Sequence, residues 1–186
     1  MLNPLPKKIL KRLSSYHISP MMMLDELDLR AGDHVLEIGL PVGFFAPAIL
    51  EKVTKKGLVY VAAPNEEMLS ILRHLSHHSN FRTAIIDQLI NGKVIMESSL
   101  DVVIFTNILS KSVSPDSLAK SISKYLKPES QIVLIDWDTK SQKVGPEMGQ
   151  RASREEAIRL FKGAGFVFQR ILTTPGYHYG LVFSLR

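Results

Sequence analysis

Between Leu172 and Tyr179 the chain has room for a turn and nothing else. Thr173-Thr174-Pro175-Gly176 is turn sequence, because proline presets φ and glycine supplies the positive φ that tight turns need. The runs on either side, Phe166 to Leu172 and Tyr179 to Leu185, are apolar and strand-like. With no helix between them, they must form an antiparallel hairpin. Upstream, strands are predicted at His34–Ile38, Leu58–Ala62, Phe81–Ile86, Asp101–Phe105 and Gln131–Ile135, with helical segments between them. Strands alternating with helices build a mostly parallel sheet covered on both faces. The expected fold class is α/β: a Rossmann-like, seven-stranded, mostly parallel sheet with helices on both faces and an antiparallel C-terminal hairpin. Only the last strand should be antiparallel, lying between strands five and six. A dinucleotide-binding dehydrogenase would keep alternating to its end.

The helices carry their own signals. Pro20 opens one that runs to about Leu27, and Gly43 to Val53 reads as another, with Pro47 in its first turns. Asn65 is a cap for a helix bearing Met68, Leu69, Leu72 and Leu75 on one face. Pro115 starts a helix with Leu118, Ile122 and Tyr125 aligned. Ser153 and Glu156 form a capping box for a helix ending near Gly163. Lys127-Pro128-Glu129-Ser130 reads as a turn.

Length and composition set the frame. The 186 residues make one core, so residues 1–186 are expected to be a single domain, with 1–17 a basic helical extension. Its Lys7, Lys8, Lys11 and Arg12 supply part of the +5 charge. They suit either a phosphate or anionic-lipid contact or the solvated face of a leading helix. No aromatic residues interleave with them as a stacking platform needs, which argues against nucleic acid. The longest apolar run, Ile38 to Leu50, is broken by glycine and proline and falls short of the ~18 residues a membrane span needs. The N-terminus lacks the apolar core of a secretory signal, and the cytoplasm is the expected location. The chain has no cysteine, which excludes thiolate metal sites and cysteine nucleophiles. No histidine has a partner at metal-ligand spacing, so no metal is expected.

Several segments could carry chemistry. Gly39-Leu40-Pro41-Val42-Gly43 links the first strand to the first long helix, where ligands of open α/β sheets bind. A ligand-free tight turn explains the same residues. Ala63 stands at the tip of strand two, twenty residues after Gly43, where an acid would bind a ribose diol. That tip is expected to lie near solvent. Glu66 and Glu67 nearby are first-turn helix carboxylates. Asp87-Gln88, at the end of strand three, suits an adenine amino group or a plain strand cap. Thr106-Asn107, after strand four, lies beside the expected reaction centre or makes an ordinary turn. His178 is either a pocket wall or sheet-edge packing. Asp138 to Gln150 is long and polar, as expected of a mobile flap or of a plain surface connection.

Together these motifs resemble the class I S-adenosylmethionine-dependent methyltransferases. Gly32 to Phe45, with Glu37 ending the strand, resembles their first motif, a strand with a terminal acid running into a GxGxG loop. Gly57 to Leu69 is similar to the second, Leu100 to Phe105 to the strand-four motif, and Tyr125-Leu126-Lys127-Pro128 with Ile132 to Trp137 to the strand-five signature. Gly145-Pro146, Arg151, Ser153 to Glu156 and Gly163 to Phe166 resemble the small-molecule enzymes related to the ubiquinone and menaquinone methyltransferases. The resemblance covers roughly residues 18 to 186.

It implies S-adenosylmethionine as cofactor and a small-molecule acceptor. By position, Glu37, Gly39, Pro41 and Gly43 would shape the methionine pocket. Ala63 and Pro64 would lie at the ribose, and Met68 would be a further cofactor-binding residue. Asp87 and Gln88 would flank the adenine, and Thr106 and Asn107 would face the sulfonium. No catalytic residue is assigned. Two positions depart from the pattern: Pro41 replaces the central glycine of the loop, and Ala63 replaces the ribose acid. Two functions therefore stand open. One is a methyltransferase with an atypical cofactor site. The other is a methyltransferase-like binding or scaffold subunit without methyl transfer. A homodimer or a protein partner fits either.

Overall fold

The computed structural model describes residues 20–92, 94–109, 115–140, 144–174 and 176–186. The basic helical extension expected at residues 1–17 lies outside them. The sheet has seven strands in the order β3-β2-β1-β4-β5-β7-β6. These are β1 (His34–Gly39), β2 (Leu58–Ala63), β3 (Phe81–Ile85), β4 (Leu100–Thr106), β5 (Leu126–Trp137), β6 (Phe166–Leu172) and β7 (His178–Leu185). Pairs β1–β2, β1–β4, β2–β3 and β4–β5 are parallel, and β7 is antiparallel to both β5 and β6. The hairpin therefore closes as expected, with the last strand inserted between the fifth and sixth.

Each face of the sheet is apolar and each is covered. Helices α1 (Pro20–Asp25), α2 (Ala46–Val53) and α3 (Glu66–Leu69) lie over one face, where Leu24, Ile49, Val53 and Leu69 pack with Val35, Val61, Ile104 and Val133. Helices α4 (Ile86–Ile90), α5 (Pro115–Ile122) and α6 (Arg154–Gly163) lie over the other. There Phe161 stacks on Phe183 with ring centroids 4.8 Å apart. Both faces are buried, as a mostly parallel sheet requires.

Local chemistry sets the boundaries. Ser153 Oγ accepts from the Glu156 N–H at 3.2 Å, and Glu156 accepts from the Ser153 N–H at 2.7 Å. Asn65 Oδ1 accepts from the Met68 N–H at 3.0 Å, capping α3. Four boundaries differ from the sequence reading. The helix after Asn65 is α-helical only to Leu69 and continues as a 3₁₀ segment, Ser70–Leu75. Helix α2 starts at Ala46, not Gly43, because Pro47 takes a first-turn position and leaves Pro41 to Phe45 to the loop. Asp87 and Gln88 do not end a strand. The chain turns into α4 at Ile86, and Gln88 Oε1 accepts the Ile85 N–H at 3.3 Å. Finally, the Lys127–Ser130 turn is absorbed into β5, which pairs Leu126 with Leu100 before a register shift to Gln131 and Val102. Pro128 is tolerated at that irregularity, where a ladder bond is already missing.

Candidate functional site at the tips of β1 and β4

Strand order reverses between β1 and β4, and their carboxyl ends form the crevice where open α/β sheets bind ligands. Gly39 ends β1 directly opposite Thr106, the last residue of β4. Gly39 has φ of 139°, and a Cβ there would stand 1.9 Å from the Thr106 carbonyl oxygen. Glycine is required, and the reason is the approach of a neighbouring strand. The Leu40 N–H donates to that same carbonyl at 2.8 Å.

Asn107 then fastens the loop. Its Nδ2 donates to the Leu40 carbonyl at 2.8 Å, and its own N–H donates to Ile135 on β5 at 2.8 Å. Its φ of 50° is the left-handed conformation that asparagine tolerates better than most residues. The Leu40–Pro41 peptide is cis, and Phe44 N–H donates to the Pro41 carbonyl at 3.2 Å. Gly43 has φ of 70°, and a Cβ there would meet the Leu72 side chain at 2.4 Å. One flank of the loop is thus packed by an apolar side chain from the 3₁₀ segment.

Glu37 braces the loop from below. It is 1% exposed, and its Oε1 accepts the Phe45 N–H at 3.0 Å. Burial pushes its carboxyl up to about 8, and the N–H groups of Phe45, Ala46 and Phe44 pull it only part of the way back. Three buried oxygens around this loop have no hydrogen-bond partner among the described residues: Glu37 Oε2, Thr106 Oγ1 and Asn107 Oδ1. Buried polar atoms are normally satisfied; Thr106 Oγ1 and Asn107 Oδ1 can accept from a donor-bearing group, whereas Glu37, protonated near pH 7, keeps its proton on Oε2 because Oε1 accepts from Phe45.

The β2 side is different. Ala63 is fully buried in the core with Leu69 and Leu72 rather than standing near solvent. Pro64 is exposed and has no N–H, and Asn65 Oδ1 is used by the α3 cap. Met68 packs half-buried against the same apolar cluster. Asp87 and Gln88 are exposed on the first turn of α4, just beyond Ile85, the register partner of Ala63. The structure thus gathers Glu37, Gly39, Pro41, Gly43, Thr106 and Asn107 at one place. At the same sheet edge, Pro64 lies one strand away and Asp87 and Gln88 two strands away.

Sequence reasoning missed what lies on the other side of β4. Asp136, near the end of β5, is 1% exposed. Its Oδ2 accepts the Leu109 N–H at 2.9 Å and its Oδ1 the Trp137 N–H at 2.8 Å. Beyond Leu109 lies a cavity of about 620 Å³, walled by Asp116, Gln150, Arg151, Glu156 and Leu160 among others. Arg151 is buried over the Trp137 ring and donates to the carbonyls of Pro146, Asp138 and Val144. Those bonds tie down both sides of the segment expected to be a flap, whose residues 141–143 lie outside the described residues. The His178 ring lies tilted over Trp137 with centroids 4.0 Å apart and is 2% exposed, with neither ring nitrogen bonded among the described residues. Burial, with help from the Arg151 charge, pushes its imidazole down to about 4, so it is neutral at pH 7. The clue to this group was the Trp137–Asp138 and Tyr177–Tyr179 composition of two strand ends, which does not reveal that they meet.

No group of three or more acidic or histidine side chains among the described residues could hold a metal. No described helix is long and apolar enough to cross a membrane.

Solved structures share this architecture. A SAM-dependent methyltransferase from Aquifex aeolicus superposes with a TM-score of 0.84 at 22% identity, over 97% of this chain and 98% of that one. An S-adenosylmethionine-dependent methyltransferase from Mesorhizobium loti gives 0.66 at 11% identity, over 87% and 95%. A geranyl diphosphate methyltransferase in complex with SAM gives 0.69 at 14% identity, over 95% and 87%. The fold is therefore that of the class I S-adenosylmethionine-dependent methyltransferases. No family model matches the chain, and no curated protein does.

Proposed function

We propose that this protein is an S-adenosylmethionine-dependent methyltransferase acting on a small-molecule acceptor in the cytoplasm. The observation that carries the reading is the loop fastened by Asn107 to β4, with the unpartnered oxygens of Glu37, Thr106 and Asn107 around it. An amino-acid ammonium needs acceptors: Thr106 Oγ1 and Asn107 Oδ1 can supply them, and Glu37 joins them once the ammonium charge beside it draws off its proton. Bound there, the cofactor supplies an already activated methyl group. The ribose end fits less well, since Ala63 offers no carboxylate and is buried. A charged hydrogen bond contributes on the order of 1.5–3 kcal/mol. Its absence lowers the expected affinity by about ten- to a hundredfold.

The protein's part is orientation more than acid–base work, because holding an acceptor in line with an activated methyl accounts for most of what such a site must do. The cavity beyond Leu109 is the acceptor's place in this reading: it starts two residues after Asn107 and is large enough for a small molecule. Residues 1–186 act as one domain, with the basic N-terminal segment as an extension.

One observation favours a second reading. Leu72 packs against Gly43, and Ala63 is sealed into the same apolar cluster. That is the arrangement expected of a methyltransferase-fold protein that has given up methyl transfer and serves as a binding or scaffold subunit. Calorimetric titration with S-adenosylmethionine and with S-adenosylhomocysteine separates the two. Measurable binding of both supports the enzyme. No detectable heat with either at millimolar ligand removes the enzyme reading and leaves the subunit.

A further inference from the structure

Asp136 is a buried carboxylate with no cation paired to it among the described residues. Tyr179, its register partner on β7, feels the Asp136 charge, and Asp138 just past β5 and Arg154 and Glu156 on α6 act on that same tyrosine. None of these bonds to it: the Tyr179 hydroxyl donates to the Ala152 carbonyl, and Arg154 pairs with Asp138 at 2.9 Å. A charge buried without a counter-ion is costly. What it receives instead is main-chain N–H groups, from Leu109, from Trp137 and, by its electrostatic effect, from Ile108.

Two of those donors, Ile108 and Leu109, belong to the segment that follows Asn107. The chain of contacts runs from Asp136 to the Ile108–Leu109 backbone, to the left-handed Asn107, and through its Nδ2 to the Leu40 carbonyl. We propose that Asp136 is a positioning residue: from β5 it holds the turn after β4, and through that turn it fixes the Gly39–Gly43 loop and the Leu109 wall of the neighbouring cavity. Its functional meaning rests on the methyltransferase reading, but the mechanical claim stands without it. Only the carboxylate can do this with both oxygens. An amide at the same place must turn its NH₂ toward either the Leu109 or the Trp137 N–H and so loses one bond. A protonated carboxyl has the same defect. Burial lifts Asp136 to about 6, so the contact should weaken in mildly acidic solution.

The test compares wild type with Asp136→Asn by amide exchange at pH 7.5 and pH 5, corrected for intrinsic rates, with S-adenosylhomocysteine titrated by calorimetry under the same conditions. In wild type, protection of the Leu109 and Leu40 amides should fall about tenfold on going to pH 5, the lower range for a charged hydrogen bond. In Asp136→Asn both should already be low at pH 7.5 and should not change further. Affinity for S-adenosylhomocysteine should follow the Leu40 protection. Loss of protection at Leu109 alone, with Leu40 unmoved, overturns the proposal and makes Asp136 a local brace. If the ligand binds neither protein, the cofactor reading fails while the Leu40 result still decides the positioning role. If Asp136→Asn does not fold, the wild-type pH profile decides: a flat Leu40 protection overturns the proposal.

Discussion

Asn107 Nδ2 and the Leu40 carbonyl oxygen are 2.8 Å apart, joining the turn after β4 to the loop after β1. Two properties of asparagine are used at once, its amide donor and its tolerance of a left-handed backbone. They can be separated. Asn107→Gly should lose the hydrogen bond alone, about 1 kcal/mol or somewhat more. Asn107→Ala loses the bond and adds about 1–2 kcal/mol of left-handed strain. Urea unfolding at constant m-value should therefore rank the proteins wild type, Gly, then Ala. Equal stability of the two variants would show that the positive φ costs nothing here.

Glu37 should make the protein less stable as pH rises. Its folded-state value is raised to about 8, above the ordinary carboxyl value, so the folded protein holds a proton that the unfolded chain has released. Stability is then lost progressively between about pH 4.5 and 8. Glu37→Gln keeps an oxygen for the Phe45 N–H and removes the titration. Its unfolding free energy should equal that of wild type near pH 5 and exceed it by a few kcal/mol at pH 9. A difference that does not change across this range would refute the assignment.

His178 has the opposite sign. Its value is depressed to about 4, so the unfolded chain takes up a proton below about pH 6.5 that the folded protein refuses. Stability is lost as pH falls from about 6.5 to 4. Phenylalanine can keep the stack on Trp137 and has no unbonded ring nitrogens. His178→Phe should match wild type at pH 7 and exceed it by about 3 kcal/mol at pH 4. Parallel acid limbs in the two proteins would sink the idea.

Ala63→Asp, which would restore a ribose carboxylate on sequence grounds alone, should instead destabilise. Ala63 is fully buried among apolar side chains, and an unpaired polar group there costs about 2 kcal/mol or more. The melting temperature should drop and no gain in S-adenosylmethionine binding should appear. A variant as stable as wild type that binds tenfold tighter would mean the β2 tip opens to the site.

These sites show what local sequence could and could not carry. The hairpin was legible because Pro175 and Gly176 leave no alternative between two apolar runs, and the Ser153 and Asn65 caps because capping is a short-range pattern. Gly39 and Asn107 were legible as candidates, since the loop and the end of strand four are fixed by fold class. The reason Gly39 is glycine was not, because Thr106 is distant in sequence. Burial of Ala63 was equally hidden: alternation tells which face a strand residue takes, not whether the strand tip is covered. Asp136 in Ile135-Asp136-Trp137 looks like any polar strand end until Leu109 is placed beside it. The early start of β5 is not legible because Pro128 argues for a turn, and only the pairing of Leu100 with Leu126 overrides it.

The insertion of β7 between β5 and β6 has a consequence for how the chain is made. A ribosome delivers β6 before β7, so β6 emerges with no strand to join and β5 waits with one edge bare. Only when residues 178 to 185 leave the exit tunnel can that gap be bridged, and then both neighbours are secured together. During translation the bare edge of β5 is a row of unpaired donors and acceptors, the kind of surface on which chains stick to one another. The last-born strand is thus the one that retires the nascent protein's main hazard.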